Sequence, residues 1–232
     1  EVYTYAPEAI FLHDDEWLLQ ELKSRIGHRN VPTIYPPGAQ LLFGLTQHIS
    51  SIFNDTLQVK LIVWRCLLLL ADLSLLAVML SLFRRLSLSS EWLLLYAVCP
   101  LISFESALAC HLDLFGIFFM MWAMLTLYKD QKIYAGLLLG IGISIKLLPL
   151  LLCVVIALVY LRKESLSLQK WCLSMMPIVM GVLISCTLVS SIFLPELLNI
   201  GELWPGLKLY TQHWRFNGSV YPLILWLIEL FS

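Results

Sequence analysis

The stretch from Glu105 to Asp113 places two carboxylates and an imidazole, Glu105, Asp113 and His111, between apolar runs. An imidazole carries protons near neutrality, and a carboxylate accepts a proton or binds a hydroxyl. Further on, Lys146 interrupts the apolar run from Ile133 to Leu161, three residues before Pro149. A cation held at a helix break suits an anion such as a phosphate. Near the other end, His213-Trp214-Arg215-Phe216-Asn217 groups a second cation with two aromatic rings and an amide. Tyr35 and His28 precede all of these. Ionisable groups within or beside long apolar segments are costly and count as functional candidates by default.

Each candidate also has a plainer reading. Glu105 and Asp113 can cap helix ends, since acidic residues favour first turns. His111 can be an ordinary turn residue. Lys146 can extend its stem along apolar surface and reach the headgroups. Trp214 and Phe216 can be interfacial anchors, and Asn217-Gly218 is a turn dipeptide. Asp72 stands mid-span, where a hydrogen bond to a neighbouring helix would satisfy it. The spacing alone leaves these alternatives open.

The elements that must position these groups follow from composition. The chain has 232 residues, 59% apolar and 13% charged, whereas soluble domains are nearer about 45–50% and about 25%. A water-soluble fold of this length could not bury so much apolar surface. A net charge of −1 offers no basic face and hence no nucleic-acid partner. The six cysteines show no CxxC spacing and read as small core residues. The expected fold class is all-α, a polytopic integral membrane protein with the lipid bilayer as a partner.

A spanning helix needs about 20 apolar residues. Lys60 to Phe83, Trp92 to Glu105, Asp113 to Tyr128 and Trp171 to Leu194 read as spans, with a last one beginning at Tyr221. The run from Ile133 to Leu161 is too long for one crossing at about 1.5 Å per residue, so it splits near Lys146–Pro149 into two short helices. This makes about seven helices, the last truncated. Asp14 to Ile26 predicts an amphipathic interfacial helix. Pro36-Pro37 opens a second juxtamembrane segment through Ile49. The division is thus an external segment over 1–59 and a membrane helical domain over 60–232, with an external loop over 195–218. Glu1 begins inside a polar stretch, and the chain reads as a fragment.

The turns at 84–90, 129–132 and 162–170 hold seven Lys or Arg in 20 residues, against five in the 83 residues of 1–59 and 195–218. The positive-inside rule makes the basic turns cytoplasmic. Glu105, His111, Asp113, Lys146 and the 213–217 group then fall together on the outer face. Arg65 lies one to two turns inside the outer end of its helix. Two sequons, at Asn54 and Asn217, lie on that face and are weak signals. There is no Walker A loop, GxGxxG, HExxH or GxSxG, so nucleotide chemistry has no visible seat.

Tyr3-Thr4-Tyr5-Ala6-Pro7 and Thr33-Ile34-Tyr35-Pro36-Pro37-Gly38-Ala39-Gln40 resemble the first external loop of the polyprenyl-phosphate-dependent GT-C glycosyltransferases, mannosyltransferase-like members above all. His111-Leu112-Asp113, Lys146-Leu147-Leu148-Pro149 and Trp214-Arg215-Phe216-Asn217-Gly218-Ser219 are similar to later landmarks of that group, in the same order. The resemblance implies a GT-C-like helical bundle that transfers a hexose from a polyprenyl-phosphate sugar to a glycan, lipid or protein acceptor. It implies an inverting transfer at the outer or lumenal face, with a bacterial plasma membrane favoured over the endoplasmic reticulum. Lys146 and Arg215 would bind the donor phosphate. Tyr35, Glu105, His111, Asp113, Trp214 and Asn217 would form the substrate site. The family's catalytic aspartate would lie upstream of Glu1. The resemblance fixes no cofactor; a divalent cation is compatible with it. The alternative from another class is a transporter or lipid flippase, for which the broken helices near Lys146 and mid-span Asp72 would serve. A scaffold without chemistry leaves the cost of Lys146 and Arg65 unexplained.

Overall fold

The computed structural model describes residues 30–54, 56–163, 167–195, 226–228 and 230. The chain divides into two compact units, Tyr35–Phe193 and Glu1–Ile34 with Leu194–Ser232. Among the described residues every regular element is helical, as the composition requires. The expected helix over Asp14 to Ile26, the loop over 195–218 and most of the last span lie outside the described residues.

Helix α1 (Pro37–Phe53) starts with proline at its first position, where the missing N–H would have had no partner. Helix α2 (Leu57–Arg85) is capped by the Thr56 hydroxyl, which accepts from the Val59 N–H. Arg84 and Arg85 fill its last turn, where cations complement the helix dipole. Three further helices meet the sequence expectation closely: α5 (Asp113–Tyr128), α6 (Lys132–Ile145) and α7 (Pro149–Lys163). The long run does break at Lys146, whose backbone is extended, and Pro149 opens the next helix. Helix α8 (Leu168–Ser191) follows.

The expected span from Trp92 to Glu105 is a correction. That stretch is a 3-10 turn (Ser90–Trp92), short helices α3 (Leu93–Ala97) and α4 (Pro100–Ser103), and a π turn (Phe104–Leu108). Pro100 is the physical reason, because it has no N–H to donate and its ring clashes with the preceding turn. Asp72 of α2 meets this broken segment, accepting a hydrogen bond from the Tyr96 hydroxyl. The mid-span carboxylate is therefore satisfied by a neighbouring element.

Helices α2 and α5 run the same way. Trp64 near the start of α2 packs on Phe115 at the start of α5, and the Tyr128 hydroxyl at the end of α5 donates to the Arg85 carbonyl at the end of α2. Helix α6 returns against α5 and α8, and α7 runs back so that Tyr160 lies beneath the Lys132 ammonium. One end of the bundle thus collects Arg84, Arg85, Lys129, Lys132, Arg162 and Lys163. The other end collects the start of α5, the end of α6 and the start of α1.

Helices α6 and α8 approach closely enough to need glycine. A Cβ on Gly136 would strike the Ile178 carbonyl, and one on Gly140 would strike the Ser185 hydroxyl. Small residues four apart let helix backbones approach closely. Gly136→Ala is expected to lower stability by about 1–3 kcal/mol, the usual cost of overpacking. Gly44→Ala, which meets open space, should not. Thermal unfolding of the two variants in detergent checks the contrast.

Candidate active site

The end of the bundle away from the basic turns holds a polar cavity of about 410 Å³, lined by Tyr35, Phe43, Trp64, Cys110, Asp113 and Lys146, with Ala109, His111 and Leu112. Four sequence candidates, Tyr35, His111, Asp113 and Lys146, therefore share one cavity. Their convergence follows from local structure. Lys146 leaves the end of α6 just before Pro149. Asp113 is the first residue of α5, where a carboxylate is favoured by the helix dipole. Gly116, one turn into α5, lets Lys146 lie close: a Cβ there would stand 3.2 Å from the Lys146 Cβ.

The charged groups are paired. Lys146 Nζ lies 3.2 Å from Asp113 Oδ1 and 3.3 Å from Oδ2. His111 Nδ1 lies 2.7 Å from Glu105 Oε2. In both pairs the side chains are roughly half-exposed, 38% and 42% for the first, 57% and 45% for the second. They remain open to an incoming molecule. The Glu105 carboxylate holds one ring nitrogen of His111 and leaves the other for a ligand.

A second cavity, of about 370 Å³, adjoins the same residues. Glu105, His111 and Asp113 line it together with Tyr96, Leu101, Ile102, Leu114 and Ile117. Its remaining wall is largely apolar and comes from the broken segment 93–106 and the first turns of α5. The π turn and the left-handed Cys110 (φ 57°) that follows it swing Glu105 and His111 to the boundary between the two spaces.

Of the aromatic part of the polar cavity the sequence signalled Tyr35, and not Phe43 or Trp64. Tyr35, Phe43 and Trp64 form a chain, with ring centroids 5.6 Å and 5.2 Å apart. Trp64 continues it to Phe115 at 5.9 Å. The Trp64 indole N–H donates to the Cys110 carbonyl at 2.9 Å, and only 8% of the residue is exposed. Aromatic residues inside apolar spans look like packing, so pattern alone could not separate them from core. Gly38 holds α1 in place: a Cβ there would stand 2.7 Å from the Ser144 backbone of α6. That contact sets Tyr35 and Phe43 over the cavity.

Arg65 is exposed and is not part of the cavity lining. Trp214, Arg215 and Asn217, with His28, lie outside the described residues. Among the described residues no group of three His, Cys, Asp or Glu side chains could hold a metal ion. Asp113, the acid nearest the centre, already faces the Lys146 ammonium.

Residues 2–162 match the model of the MptA_B family, described as alpha-(1->6)-mannopyranosyltransferase, N-terminal domain. The chain belongs to this family. The mannosyltransferase-like resemblance is thereby borne out, and membership makes the chain a glycosyltransferase domain, with a sugar donor and an acceptor as its partners. The mannopyranosyltransferase match covers every element that builds the two cavities, from Tyr35 to Pro149. No curated protein and no solved structure matches the chain. Among the described residues two helices are long and apolar enough to cross a membrane: α2, inside the matched region, and α8, which follows it.

Proposed function

We propose that this domain transfers a mannose-like hexose from a polyprenyl-phosphate sugar to a glycan, lipid or protein acceptor at the outer or lumenal face of a membrane. The observation that carries the reading is the adjacency of a polar and a largely apolar cavity that share His111 and Asp113. A lipid-linked sugar phosphate has this division: an apolar chain, an anionic junction and a polar ring. Lys146 and His111 stand at the junction.

In this reading the prenyl chain enters along Leu101, Ile102 and Ile117, and the phosphate exchanges places with the Asp113 carboxylate at Lys146. The acceptor oxygen attacks the anomeric carbon, and its proton passes to a base. The bond from that carbon to the phosphate oxygen breaks, and the electron pair leaves on the phosphate. A fixed ammonium facing the developing charge lowers the barrier. Arg215 serves as a second cation, and Trp214, Asn217 and Glu105 complete the substrate site.

The membrane setting is a GT-C-like polytopic bundle. Leucines along α2, α7 and α8 are more than half exposed, among them Leu69, Leu70, Leu151 and Leu183, as expected where lipid is the solvent. The alternation of α5, α6, α7 and α8 supports crossings that put the basic end in the cytoplasm and the cavities outside. A bacterial plasma membrane suits this arrangement.

Membranes carrying the full-length protein, given labelled polyprenyl-phosphate mannose and separately a labelled nucleotide mannose, test the donor. Transfer from the lipid-linked sugar alone is expected. Transfer from the nucleotide sugar without lipid would overturn the proposal.

A further inference from the structure

We infer that the aromatic wall of the polar cavity, Phe43 with Tyr35 beside it, is the surface on which the pyranose ring of the donor lies. Trp64 acts as the positioning residue behind it. The inference rests on the reading of this cavity as the sugar-phosphate site.

The cavity has two kinds of lining. Lys146 and Asp113 supply charge and His111 a ring nitrogen, which suits a phosphate and hydroxyl groups but would hold any phosphate of the right size. Tyr35, Phe43 and Trp64 supply π faces. A hexopyranose has a hydroxyl rim and a patch of C–H bonds, and those hydrogens carry partial positive charge that complements the negative face of an aromatic ring. A small number of polar groups set against aromatic surface is the usual make-up of a selective small-molecule site.

The three rings differ in what they can offer. Trp64 is nearly buried and its N–H is engaged by the Cys110 carbonyl. It therefore fixes an orientation and has no donor left for a ligand. Its neighbour Phe43 is half-buried, edge-on to Tyr35 at 80° and tilted 41° to Trp64. Tyr35 is 39% exposed. Phe43 is thus the ring with both a fixed pose and open surface. The carbonyl that anchors Trp64 belongs to Cys110, a non-glycine residue held at φ 57°, a conformation that persists only where the surroundings enforce it.

The test separates ring binding from packing. Phe43→Leu keeps an apolar side chain of similar size but removes the π face; Phe43→Trp keeps the face. Full-length protein in membranes is assayed for the KM of polyprenyl-phosphate mannose and for inhibition by polyprenyl phosphate lacking a sugar. Phe43→Leu should raise donor KM about three- to tenfold, the range of an aromatic contact, while inhibition by the sugar-free lipid stays unchanged. Phe43→Trp should restore the donor KM. Wild-type transfer with an unchanged KM in Phe43→Leu, or equal weakening of both lipids, overturns the platform alone. Absence of any wild-type transfer from the lipid-linked sugar overturns the donor reading and this inference with it.

Discussion

Alanine in place of Lys146 is expected to slow sugar transfer by roughly 10²- to 10³-fold, the size of effect seen when a fixed donor to a developing anion is removed. Melting should stay close to wild type. The two halves of that expectation have one structural cause. Lys146 and Asp113 are 38% and 42% exposed, and an ion pair at such a position contributes little to stability because water and salt screen it. The ammonium matters when the leaving phosphate replaces Asp113 beside it. Lys146→Arg keeps a cation and should retain part of the rate, although a planar guanidinium presents its charge with a different geometry. Asp113→Asn should cost less than Lys146→Ala, since the bound phosphate itself can hold the ammonium. Full activity of Lys146→Ala in membranes, with the protein folded, would remove Lys146 from the chemistry.

The sequence announced some of this and hid the rest for physical reasons. A lysine three residues before a proline, in an apolar run too long for one crossing, located the α6–α7 break at Lys146. Helix α5 begins at Asp113 and ends at Tyr128, where polar residues border an apolar run. The stretch from Trp92 to Glu105 misled because its apolar character outweighed Pro100, which stops the backbone ladder whatever the composition around it. Pairing was not legible. Lys146 and Asp113 are 33 residues apart, and nothing in either neighbourhood states that α5 and α6 bring them together. Phe43 and Trp64 stayed hidden because an aromatic residue lining a cavity and one filling a core obey the same periodicity. Only the cavity distinguishes them.

Trp64→Ala is expected to cost about 3–5 kcal/mol of stability, the range for removing a large buried aromatic side chain. Trp64→Phe should cost only about 1 kcal/mol, close to the worth of one hydrogen bond. The contrast follows from what the indole holds. Its ring contacts Phe43 of α1 and Phe115 of α5, so one side chain of α2 joins three helices. It shares the core with Ala39, Leu68 and Leu112, among which alanine would leave a void. Phenylalanine fills most of that space and surrenders chiefly the bond to the Cys110 carbonyl. That loss should register in catalysis more than in melting. With the indole anchor gone, the Cys110 carbonyl loses the bond from Trp64, and His111 and Asp113 lie one and three residues beyond Cys110 in the chain. Thermal unfolding and transfer rates measured on both variants check this. Equal melting of Trp64→Ala and wild type would show that α1, α2 and α5 are held together elsewhere, and the aromatic wall would lose its claim to a fixed pose.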